Sequence, residues 1–127
     1  MQIVEKTYGP VTVLAPAGRI DLTSGEAFQA AVLAAVHRHE PAGALVVLDF
    51  SGVEYISSIG LRALMVAAKQ TKALGGQLAI AALTPVVHEI FHISRFDLVL
   101  KAFASLREAL AALSPEAAAQ FDDAAER

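Results

Sequence analysis

The 127-residue chain contains no cysteine, which excludes a disulfide framework, a thiolate nucleophile and every zinc site built on sulfur. Long hydrophobic runs are missing too. Although the mean hydropathy is +0.51, Ala44–Leu48 and Leu78–Leu83 are far shorter than the ~18 residues of a membrane span, and no membrane insertion is expected. The 10 lysines and arginines are outnumbered by 13 acidic residues and form no cluster, so the electrostatic footprint of a nucleic-acid binder is absent. Neither G-x-x-x-x-G-K-[ST] nor G-x-G-x-x-G occurs, and no cofactor is expected. The stretch Met1–Lys6 lacks a basic segment leading into an apolar core, which makes the cytoplasm the expected location.

What is present suffices for one domain, with 55% hydrophobic residues to supply a core. Gln2–Tyr8 and Val11–Ala15 are β-rich segments separated by Gly9-Pro10, the pattern of a hairpin. Thr23-Ser24-Gly25-Glu26 has the spacing of a capping box, and Phe28, Val32, Leu33 and Val36 then follow a helical stripe toward Pro41 and Gly43. His37 and His39 near its end read as surface residues compatible with the helix dipole. Ala44–Leu48 reads as a central strand closed by Asp49, and Phe50–Ile56 as a loop. The spacing of Leu61, Leu64, Met65 and Ala68 predicts a second helix, beginning near Ser57 or Ser58 and capped by Gly75-Gly76.

Gln77–Leu83 is a further strand, Thr84-Pro85 opens a short helix to about Ser94, and Leu98–Phe103 is the last strand. A second capping box, Ser105-Leu106-Arg107-Glu108, opens a helix carrying Leu110 and Leu113. The order β-β-α-β-α-β-α-β-α describes an α/β fold: a mixed, mostly parallel sheet with an N-terminal antiparallel hairpin and covering helices. One domain is expected over residues 1–113, and residues 114–127 read as an acidic, alanine-rich tail, either a marginal helix or disordered.

Four segments carry a resemblance: Gly18-Arg19-Ile20-Asp21, Leu48-Asp49-Phe50-Ser51-Gly52-Val53, Tyr55-Ile56-Ser57-Ser58-Ile59-Gly60-Leu61-Arg62-Ala63-Leu64 and Val99–Leu110. Together they make the chain resemble the STAS domain, the sulfate transporter and anti-sigma factor antagonist family, over nearly its whole length. The resemblance implies a STAS-like fold and a binding module without enzymatic activity. It also implies partner switching, in which the domain sequesters an anti-sigma factor, an ATPase-fold serine kinase, to regulate transcription; a STAS module regulating a transporter or another signalling complex is the alternative. Stand-alone members read Asp-Ser-Ser-Gly-Leu, with the serine before the glycine phosphorylated. Here Ser57 takes the Asp position, Ser58 the first serine position and Ile59 the phosphoacceptor position. The implied contact surface is Asp21, Ser57, Ser58, Ile59, Gly60 and Arg62, with Ser58 the phosphorylation candidate.

The physical reading of these residues is plainer. A helix start presents unpaired N–H groups and partial positive charge, and a serine there caps the helix. Arg62, in the first turn, opposes the dipole and either pairs with an anion at Ser58 or is solvated, while Asp21 suits an Asx-turn and Asp49 suits bonding to loop N–H groups. Two competitors have motifs of their own. His88-Glu89-Ile90-Phe91-His92 fits H-E-x-x-H, the zinc-peptidase pattern, yet Val87, Ile90 and Phe91 claim the inner face and leave the histidines outside; no metal site is expected. Asp49, Thr84 and Lys101 match the strand-end positions of a response-regulator receiver domain, but no acidic pair follows the first strand to hold Mg²⁺.

Overall fold

In the computed structural model, which describes residues 1–38 and 43–125, the longest strand organises the sheet. This strand, β2 (Val11–Ile20), pairs antiparallel with β1 (Gln2–Tyr8) through the Gly9-Pro10 turn. Gly9 takes a φ of +54° there, a left-handed conformation that glycine adopts without steric cost. Along its first half β2 runs parallel to β3 (Leu45–Asp49), and its last residues pair instead with β4 (Val53–Ile56). β5 (Gln77–Ala81) lies beside β3, and β6 (Lys101–Phe103) beside β5, so the order is β1-β2-β3-β5-β6 with β4 on β2.

Both faces of the sheet are covered, which is why β3 and β5 read as unbroken apolar runs. On one face α1 (Gly25–His37) and α2 (Ser58–Ala73) pack Phe28, Val32, Leu64 and Ala67 against Leu14, Val46, Leu48 and Ile80. Phe28 meets Phe50 edge-on at 6.0 Å, a favoured aromatic geometry. α3 (Pro85–Ile93) adds Val87 and Phe91 to that core. On the other face α4 (Leu106–Leu113) and α5 (Pro115–Ala125) cover Val11, Val13, Val47 and Ala81.

The structure corrects the sequence reading at three places, and of the two readings of the tail it has the helical one. The expected loop Phe50–Ile56 contains β4, whose short run pairs with the far end of β2, a partner remote in sequence. The first capping box does not form: Ser24 holds the N-cap position of α1 without a side-chain cap, and Thr23 turns its hydroxyl to Asp21 instead. The expected strand Leu98–Phe103 is shorter, because Phe96–Leu98 closes a 3₁₀ turn first. Residues 115–125 form α5 against the hairpin, with Ala117 fully buried, Phe121 edge-on to Tyr8 at 5.5 Å, and Gln120 Oε1 accepting the Gly9 N–H at 2.7 Å. Phe121 supplies that helix with the apolar anchor that its alanines lack.

Other signals act as read. Gly75, at φ +76°, ends α2: its N–H donates to the Lys72 carbonyl and that of Gly76 to Thr71, a Schellman closure. Ser105 caps α4 by accepting the Glu108 N–H at 3.2 Å. The expected helix stop at Pro41, and His39, lie outside the described residues.

Candidate functional site

The pairing of β2 with β4 makes the site. Ile20 lies opposite Ile56, and the Ser57 N–H donates to the Ile20 carbonyl at 2.8 Å, so the chain leaves these two strands as adjacent loops, one beginning at Asp21 and the other at Ser57. The Asp21 loop is an Asx-turn. Asp21 Oδ1 accepts from the Thr23 hydroxyl at 2.8 Å and from the Thr23 N–H at 3.1 Å. Ser24 ties the loop back to β2, its hydroxyl donating to the Arg19 carbonyl at 2.7 Å and accepting from the Asp21 N–H at 3.0 Å. The Thr23 hydroxyl, with lesser help from the Thr23 and Ser24 N–H groups, holds the Asp21 carboxyl below its ordinary range.

The second loop turns directly into α2. Ser57 is its N-cap, in extended conformation, with its hydroxyl accepting the Gly60 N–H at a long 3.4 Å. Ser58 is the first helical residue and is exposed. Ile59 is 39% exposed, and it leans on the start of α1: a Cβ added to Gly25 would lie 2.7 Å from Ile59 Cγ2. The bare Gly25 is therefore what allows the two helix starts to meet.

Gly60 departs from the expectation that it belongs to the contact surface. It is buried, and an added Cβ would stand 2.6 Å from Ile56 Cγ1 and 2.8 Å from Ile20 Cγ2, so its part is to let α2 settle on the ends of β2 and β4. Arg62 is exposed and unpaired among the described residues. The sequence reading missed Gly25 and also the stacking of the Arg19 guanidinium on Tyr55, 4.4 Å from the ring centroid. Arg19 and Tyr55 face each other across the β2–β4 ladder, and that pairing could not be read while β4 was taken for a loop.

The competing residues have local partners. Asp49 Oδ1 accepts the Ser51 N–H at 3.0 Å, the Thr84 hydroxyl donates to the Val53 carbonyl at 2.8 Å, and the Lys101 ammonium stands 5.4 Å from the Phe103 ring centroid. His88, Glu89 and His92 lie on the exposed side of α3, with Val87 and Phe91 buried beneath. His88 and His92 share a cavity of about 180 Å³ with Asp97. Among the described residues no three His, Asp or Glu side chains are grouped to hold a metal ion.

Known proteins resemble this chain along most of its length. The model of the STAS domain matches residues 2–109, which places α5 beyond the match. BtrV of Bordetella bronchiseptica, assigned as an anti-sigma factor antagonist, is 39% identical over 95 residues, covering 75% of this chain and 78% of BtrV. The structure of an anti-sigma factor antagonist from Mycobacterium paratuberculosis superposes with a TM-score of 0.77 at 26% identity, over 88% of this chain and 92% of that one. An anti-sigma-factor antagonist (STAS) domain protein from Planctomyces limnophilus gives 0.76 at 28% identity, over 88% and 97%. These names are those of regulators that bind a protein, not of enzymes. No helix among the described residues is long and apolar enough to cross a membrane. With the family match running from the hairpin into α4, the chain belongs to the STAS domain family.

Proposed function

We propose that this chain is an anti-sigma factor antagonist that binds an ATPase-fold anti-sigma kinase and thereby frees a sigma factor, and that it does so without a phosphorylation switch at the usual position. The observation that carries this reading is Ile59, an aliphatic residue at the family's phosphoacceptor position, seated in the first turn of α2 against Gly25 of α1. An isoleucine cannot accept phosphate. Packed against Gly25 at the start of α1, it offers a partner an apolar contact instead. With 39% of its surface still open, covering it contributes roughly 1 kcal/mol, a fraction of the value for a fully exposed side chain. The contact therefore needs the surrounding polar residues as well.

Ser58 is the exposed hydroxyl next to that position. It sits one residue earlier, about 100° around the helix from Ile59, so a kinase shaped for the usual site meets it in the wrong direction. On this reading the domain is a constitutive binder, regulated by its abundance or through its partner. The test is to incubate the purified chain with each ATPase-fold anti-sigma kinase of its own cell and ATP, map any phosphate, and measure binding. Expected are a stable complex, no stoichiometric phosphate on Ser58, and phosphate acceptance by Ile59→Ser. Stoichiometric Ser58 phosphorylation that releases the kinase would make Ser58 the relocated switch. Failure to bind any such kinase, with capture of a transporter or another regulator instead, would remove the sigma-factor assignment.

A further inference from the structure

We infer that Ile59 is a positioning residue as well as a contact, its Cγ2 methyl locking the Asp21 loop to the first turn of α2 so that both halves of the site stand preformed. The consequence for affinity rests on the binding reading above, whereas the lock itself is a property of the chain alone. The two loops leave β2 and β4 together, joined by the bond from the Ser57 N–H to the Ile20 carbonyl at 2.8 Å. Beyond it, no hydrogen bond or ion pair among the described residues links 21–25 to 58–62. Ile59 against Gly25 bridges them.

The methyl fills the place of a missing side chain: a Cβ added to Gly25 would lie 2.7 Å from Ile59 Cγ2 and 3.7 Å from Ile59 Cβ. Ile59 is the second residue of α2, and a β-branched side chain in a helix keeps essentially one χ1 rotamer. The backbone of α2 therefore fixes where that methyl points. Gly25 carries the contact into the loop. It is buried, and its N–H donates to the Asp21 carbonyl at 2.7 Å, closing the turn in which Asp21 Oδ1 accepts from Thr23. The first residue of α1 cannot move away from α2 without drawing the Asp21 turn with it. A leucine at position 59 would offer a partner as much apolar surface and still lack the branch at Cβ. The lock thus depends on the shape of the side chain, not on its hydrophobicity. A loop ordered before binding spares the complex the cost of ordering it, which suits a binder without a switch.

The experiment compares, in the full chain, Ile59→Val, which keeps the branch, with Ile59→Leu, which keeps the apolar bulk and loses it. By hydrogen exchange, Ile59→Leu should quicken the Gly25 and Asp21 amides at least about tenfold more than those of β3, and Ile59→Val should show no such excess. A double-substitution cycle tests the contact directly. Gly25→Ala should lower the melting temperature of the parent by a few degrees. In Ile59→Ala it should leave the melting temperature unchanged or raise it, because Cβ, 3.7 Å away, is then the nearest atom and the Gly25 backbone has no positive φ. Toward an ATPase-fold anti-sigma kinase that binds the parent, Ile59→Leu should be about fivefold or more weaker than Ile59→Val, the scale of ordering one residue. Equal exchange in the two variants overturns the lock, as does a Gly25→Ala loss that persists in Ile59→Ala. Unequal exchange with equal affinity overturns its part in binding. Each of these results leaves the antagonist reading standing. If the folded parent chain binds no such kinase, the antagonist reading fails, and the exchange and the cycle by themselves uphold or overturn the lock.

Discussion

Gly60→Ala is the substitution whose effect the geometry of the site fixes most closely. Alanine is ordinarily the better helix residue, by up to about 1 kcal/mol, so the change would stabilise α2 if nothing stood nearby. At Gly60 the new methyl would meet Ile56 Cγ1 at 2.6 Å and Ile20 Cγ2 at 2.8 Å, closer than non-bonded carbons approach. Both neighbours are fully buried β-branched residues at the ends of paired strands, with little freedom to turn away. Overpacking of this kind costs typically about 1–3 kcal/mol. Set against the propensity gain, the net loss is about 1–2 kcal/mol, which lowers the melting temperature of a domain of this size by about 4–8 °C.

Relief of the clash would lift the first turn of α2, carrying Ser58, Ile59 and Arg62 away from the Asp21 loop, so partner affinity should fall as well. Gly52→Ala is the control, since its added Cβ meets nothing closer than 3.4 Å, and it should shift stability by no more than about 0.5 kcal/mol. Calorimetry or thermal circular dichroism reads both variants. A Gly60→Ala protein that melts at or above the parent would show that α2 does not sit on Ile20 and Ile56 as described, and would refute the argument for the site's geometry.

The pH dependence of stability gives another test. Because the hydrogen bond from the Thr23 hydroxyl, more than any other contact, lowers the Asp21 carboxyl below its ordinary 3.8, the unfolded chain takes up the proton first. The contribution of Asp21 is present above the unfolded value and disappears as pH falls through the lower folded one. Asp21→Asn should thus flatten the decline of melting temperature between about pH 5 and 3, and coincident slopes for the two proteins would argue against the Asx-turn in solution. At α5, Phe121→Ala should cost about 1–2 kcal/mol, below the roughly 3–5 kcal/mol of a fully buried phenylalanine, because Phe121 is half-buried against Tyr8. Hydrogen exchange should quicken in Pro115–Ala125 and not in β3; equal quickening in both would show that α5 does not open separately.

Much of the fold was legible because its signals are local. The unbroken apolar runs that mark β3 and β5, Pro85 at the start of α3, the glycine pair after α2 and Ser105 ahead of α4 each act within a few residues, and each appears in the structure where the sequence places it. The family was legible too, through the segment Tyr55–Leu64. What only the tertiary structure decided depends on chain segments distant in sequence. β4 is a strand because the end of β2 lies beside it, and nothing within Val53–Ile56 announces that partner. Thr23 looks like a helix cap in sequence, but α1 starts one residue later, with Ser24 at the N-cap position, and Thr23 donates its hydroxyl to Asp21 within the turn. Gly60 reads as part of a surface motif, yet two isoleucines from different strands make it a packing residue, while Gly25 joins the site through its contact with Ile59, and the Arg19–Tyr55 stack forms only because β4 pairs with β2. Sequence thus determined the elements and the residue types available at the two loops; the parallel pairing of β2 with β4, which aligns Ile20 with Ile56, decided which of those residues share one surface.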